Sequence, residues 1–89
     1  MNLVQLADQP RLSAFHVACS LPSDPVFREW VALESHSTSP TVDQAAAFIK
    51  ARAGISTRNV LKTDRQAAQR LHENICLPYA VWRRKQEMH

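Results

Sequence analysis

The chain has a single glycine, Gly54, and that scarcity excludes a good deal. A glycine-rich phosphate cradle cannot be built from it, and a sheet-rich fold lacks the residues for its tight turns. Two cysteines, Cys19 and Cys76, are too few for a disulfide framework. No apolar run approaches the length of a membrane span. The first ten residues hold Asp8 and Pro10 and no basic start, so nothing there resembles an export signal. The expectation is a cytoplasmic chain with reduced thiols and no membrane partner. Its few acidic residues are scattered, which leaves no paired-carboxylate site.

What is present is the chemistry of helices. The phrase Thr-x-x-Gln-Ala-Ala occurs twice, at Thr41–Ala46 and Thr63–Ala68. In such a box the threonine side chain accepts from a backbone N–H three residues on. The glutamine reaches back to the threonine N–H, and the alanines favour propagation. Two copies do not make a solenoid, which needs at least three stacked units. At 89 residues with 45% apolar content, the chain reads as one folded domain, 1–89.

The elements follow from the punctuation. Pro10 suits a helix start, with Leu12, Phe15, His16 and Cys19 on one face; an extended stretch over Ser13–Cys19 is the alternative. Asp24-Pro25 opens the next helix, with Val26, Phe27, Trp30, Val31 and Leu33 as a broad apolar stripe and Trp30 a core residue. Residues 35–40, Ser-His-Ser-Thr-Ser-Pro, form a loop because small hydroxyls compete for backbone bonds and Pro40 disfavours helix before it. A helix from Thr41 to about Ala53 stops at Gly54. A short helix spans about Ser56–Lys62. The second box opens the longest helix, which Pro78 either kinks or restarts, and residues 86–89 form a frayed tail. The predicted fold is an all-α bundle of five or six short helices.

Charge is unevenly placed. Residues 1–45 hold two basic and five acidic groups, a balance of −3; residues 46–89 hold nine and three, a balance of +6. Such asymmetry points to an anionic partner, to docking of the two halves, or to solubility. Arg52, Arg58, Lys62, Arg65 and Arg70 make a candidate basic face. Tyr79, Trp82, Arg83, Arg84 and Lys85 combine large apolar area with fork-shaped cations, the chemistry of a partner-binding hot spot. Trp82 could equally be core.

Three other constellations carry potential chemistry. Lys50–Lys62 resembles a degenerate helix-turn-helix, with Arg58 and Asn59 near base edges and basic neighbours on phosphates. Lys50 stands where that family packs a small residue between helices, and Thr63 where it has an apolar anchor. His16-x-x-Cys19 and His72-x-x-x-Cys76 could together ligate zinc, although buried cysteine is common in cores without metal. His72 and Cys76 could pair as thiolate and imidazolium, but no oxyanion loop or third orienting group accompanies them. The expectation is no catalytic residue, no cofactor and no metal.

The stretch Ser56-x-Arg58, Leu61-x-x-Asp64, Ala67-Ala68-x-x-Leu71-His72, Ile75 and Pro78-Tyr79-x-x-Trp82 resembles short uncharacterised accessory proteins of Gram-negative bacteria and their phages and plasmids. It covers the last third of the chain. The resemblance implies a small cytoplasmic protein that binds a host component and implies no activity. The combined reading is a non-enzymatic regulator, inhibitor or adaptor. Its partner is a host protein, or a second copy forming a homodimer, with an acidic surface. DNA binding through the basic face is the alternative.

Overall fold

The computed structural model describes residues 10–87, with side chains described for residues 14–87. Every regular element among the described residues is helical. Helix α1 spans Pro10–Ser20 and runs into a 3-10 turn, Leu21–Ser23. Asp24 then caps α2, Pro25–Ser35, its carboxylate accepting from Val26 N–H at 2.9 Å. Pro25 sits at the first turn, where a missing N–H costs nothing. The helix ends at His36 in the left-handed region (φ 54°), with Ser37 N–H returning to the Ala32 carbonyl at 3.0 Å.

Helix α3, Val42–Ala53, opens with the complete Thr41 box. Gln44 N–H donates to Thr41 Oγ1 at 3.1 Å, and Thr41 N–H to Gln44 Oε1 at 2.8 Å. Gly54 (φ 67°) stops it, and Ile55 N–H closes the turn onto the Lys50 carbonyl at 2.9 Å. A side chain at Gly54 would be strained by that left-handed backbone. A 3-10 segment, Arg58–Lys62, follows. Helix α4 (Arg65–Leu71), a π-helical turn (His72–Cys76) and helix α5 (Leu77–Glu87) then run on without a break as one rod.

The described residues thus hold four helical rods rather than five or six. The short Ser56–Lys62 helix is a 3-10 segment, and of the two outcomes open at Pro78 the rod continues through it rather than restarting. Pro78 cannot bond back to the Asn74 carbonyl, and the rod widens into π register just before it, Leu77 N–H bonding to His72 O. The rod continues through Gln86 and Glu87; residues 88 and 89 lie outside the described residues.

One core joins the rods. Phe27, Ile49, Leu61, Leu71 and Ile75 are fully buried, each a side chain whose removal from water is worth roughly 1.5–3 kcal/mol. Trp30, as expected, is core at 3% exposed. It meets Phe48 edge-on at 5.6 Å between ring centroids and Tyr79 at 5.6 Å, while Phe27 and Tyr79 pack edge-to-face at 5.2 Å. Such pairs add about 0.5–1.5 kcal/mol beyond burial. Ala45, Ala53 and Ala67 are fully buried, and their small side chains let α3 pack against α4. Helix α1 is helical rather than extended, but its inward residue is Ala18, with Phe15 half-buried and His16 and Cys19 exposed. Leu12 has no described side chain.

Candidate functional site

The last four carbonyls of a helix have no partner within it, and the chain supplies donors to those of α3 one by one. Backbone N–H groups of Gly54 and Ile55 take Ala51 O and Lys50 O. Asn74 Nδ2 donates to Arg52 O at 3.1 Å, and Arg70 Nε to Ala53 O at 2.7 Å. Arg58 Nη1 donates to Ala18 O near the end of α1 at 3.2 Å, and Arg28 Nη1 to Pro22 O at 2.8 Å. Cations at these positions also meet the negative ends of the helices.

This pattern dissolves most of the expected basic face. Arg58 and Arg70 are half-buried, each with one N–H committed to a helix-end carbonyl. Arg52 is engaged on every side. Its Nη2 pairs with Glu34 Oε1 at 2.7 Å, its Nη1 donates to Asn74 O at a long 3.4 Å, and its guanidinium lies 4.9 Å from the Phe48 ring centroid. The Asn74 carbonyl is the one Pro78 leaves without its helical donor, so Arg52 replaces a bond the proline cannot make. Lys62 lies 4.2 Å over the Phe15 ring. Arg65 is exposed, with no partner among the described residues.

The aromatic-basic end of the chain divides too. Tyr79 is 7% exposed and belongs to the core, which removes it from a solvent-facing contact set. Its hydroxyl is buried with no hydrogen-bond partner. Burial raises its pKa above the ordinary 10.0; the Asp24 carboxylate adds to the rise and Arg83 opposes it. Trp82 is half-buried and stacks on Tyr79 at 6.1 Å with rings 24° apart. Arg83, Arg84 and Lys85 are exposed; Arg83 makes a loose 3.6 Å pair with Glu87, which contributes little at such exposure.

The surface of α5 carries something the sequence reading missed. Leu77 and Val81 are 49% and 55% exposed, four residues apart and therefore on one face. Arg84 and Lys85 continue that face at the next turn. The signal was available: both apolar residues fall outside the Leu71, Ile75, Tyr79 stripe that the core takes. Exposed Leu and Val in succession beside two cations give a surface that is apolar at one end and positive at the other.

The other constellations considered in the sequence do not assemble among the described residues. The residues after Gly54 form a five-residue 3-10 segment with Leu61 buried, which is too short to lie along a DNA groove as a recognition helix. The second helix of the helix-turn-helix reading is therefore missing. Among the described residues no three of His, Cys, Asp and Glu gather as a metal site. Cys76 is half-buried, and burial raises its thiol above the ordinary 9.0, opposite to what an activated thiolate requires. No described helix is long and apolar enough to cross a membrane. Comparison with family models, curated proteins and solved structures finds no match to the chain.

Proposed function

We propose that the chain is a non-enzymatic accessory protein of bacterial or phage type that works in the cytoplasm by binding another protein through α5. The observation that carries this reading is the outward face Leu77, Val81, Arg84 and Lys85. Large apolar side chains four residues apart are unneeded by the core, and the cations beyond them favour a partner whose apolar contact is flanked by carboxylates. The half-buried Trp82 lies at the edge of that face, whereas Arg83, four residues after Tyr79, is on the Tyr79 side of the helix. The partner is a host protein; a second copy of this chain is the other occupant with the required chemistry.

A photo-crosslinking residue at position 81, used in the native host, tests this. Crosslinks to one acidic-surfaced protein are expected, and the double change Leu77→Asp with Val81→Asp should weaken capture by more than tenfold. That corresponds to at least about 1.4 kcal/mol. Far-UV circular dichroism should be unchanged, because neither side chain is core. Equal capture by the wild type and the double variant would defeat the reading. Crosslinks to the chain itself, with a concentration-dependent sedimentation coefficient, would assign the face to a homodimer.

A further inference from the structure

A cleft of about 240 Å³ opens between α1 and the segment after Gly54, remote in sequence from α5 and sharing no residue with its outward face. Phe15, Cys19, Lys50, Ser56, Arg58 and Asn59 line it. Two of these side chains are cations, and among the described residues none that lines it is a carboxylate. Lys62, seated over the Phe15 ring at 4.2 Å, adds a third positive charge at the edge. Lys50 and Arg58 are half-buried, so their charges are less screened than those of the exposed α5 cations.

The donors of this cleft are largely unused. Arg58 gives one N–H to the Ala18 carbonyl and retains the rest of its fork. Within the described residues, no hydrogen bond or ion pair engages the Lys50 ammonium, the Ser56 hydroxyl or the Asn59 carboxamide. Thr57, by contrast, is occupied in accepting from Asn59 N–H at 3.3 Å. Two half-buried cations, with an exposed hydroxyl and carboxamide beside them, make this cleft favourable for an anion.

We infer that this cleft binds the phosphate group of a small phosphorylated molecule. A phosphate dianion matches the two lining cations better than a single carboxylate does, and its several oxygens match a guanidinium fork, an ammonium, a hydroxyl and an amide. The cleft is smaller than the about 300–1,000 Å³ of pockets that hold drug-sized ligands. The remainder of the molecule is therefore a short carbon chain or sugar, with the Phe15 ring as its apolar neighbour.

Amide shifts of the ¹⁵N-labelled full chain, titrated at constant ionic strength, test the assignment with four probes: inorganic phosphate, glycerol 1-phosphate, acetate and a short DNA duplex. Saturable shifts at Lys50, Ser56, Arg58 and Asn59 are expected for both phosphates, tighter for the ester, and much weaker for acetate. Lys50→Gln should lower the affinity about tenfold and Lys50→Arg should recover most of it. Should Lys50→Gln disturb the fold, Ser56→Ala with Asn59→Ala gives the same reading, with roughly three- to tenfold weakening. Acetate binding as well as phosphate, or affinity indifferent to the substitutions, would overturn the proposal. So would shifts with the duplex and none with the monoester, which would make the cleft part of a nucleic-acid surface instead.

Discussion

The two Thr-x-x-Gln-Ala-Ala phrases are the same text with different outcomes. At Thr41 the box forms in full, with both reciprocal hydrogen bonds in place. At Thr63 it does not form: the cap is Asp64, whose carboxylate accepts from Gln66 N–H at 2.9 Å and Ala67 N–H at 3.2 Å. The residue after the threonine decides between them. Val42 has no acceptor, whereas Asp64 has a charged one that also favours the positive helix end. What precedes the phrase matters as well. Thr63 N–H is already given to Val60 O at 3.1 Å, closing the 3-10 segment, so Gln66 has no N–H to reach back to. Thr63 also lies at φ −122°, ψ −23°, outside the extended backbone of a cap, while Asp64 has it. A capping motif is thus a competition among neighbouring acceptors, and its flanks enter the result.

Four substitutions would break or sharpen this contrast. The largest effect is expected for Asp64→Ala, which removes the acceptor of two helix-start N–H groups and should cost about 1–2 kcal/mol by urea unfolding. Thr41→Ala loses one acceptor and should cost about 1 kcal/mol. In a Val42→Asp background the cost of Thr41→Ala should fall to roughly half or less, because the new carboxylate offers the competing cap that the second copy already has. Val42 is 45% exposed, so the host change itself is tolerable. Thr63→Ala should be smallest, within about 0.5 kcal/mol, since its hydroxyl makes only a 3.5 Å contact to Val60 O. A Thr63→Ala cost matching that of Thr41→Ala would show that the two boxes work alike in solution.

The legible parts of this fold are those whose cause lies within about four residues. Asp24-Pro25, the Thr41 box and the Gly54 stop could be read because donor, acceptor and special φ are neighbours in the chain. Trp30 could be placed in the core from the breadth of its stripe. The arginines could not be placed that way. Arg52 meets Asn74 across 22 positions, Arg58 meets Ala18 across 40, and Arg70 meets Ala53 across 17. Which helix end comes to face each guanidinium is a tertiary fact, and the positive excess of the second half reads as an outward surface until those ends are known. At Pro78 the local signals left a kink and a restart equally open, and the rod continues through it with a π-helical turn just before. The exposed Asn74 carbonyl that Pro78 cannot serve receives Arg52 from another helix at 3.4 Å. For the candidate site, Trp82 and the Arg83–Lys85 run were visible as chemistry, while Tyr79 turned inward because Phe27 and Trp30 offer its ring an aromatic pocket.

Pro78 makes the last rod dependent on its neighbours. The carbonyl it leaves vacant is served by Arg52, which is itself anchored by Glu34 on yet another helix. The shape of residues 65–87 is therefore not encoded in residues 65–87 alone. Excised as a free peptide, the stretch would keep Pro78 but hand that carbonyl back to water. Replacing Arg52 would remove its Glu34 pair and its Phe48 contact along with the bond to the Asn74 carbonyl, so one side chain ties three helices together.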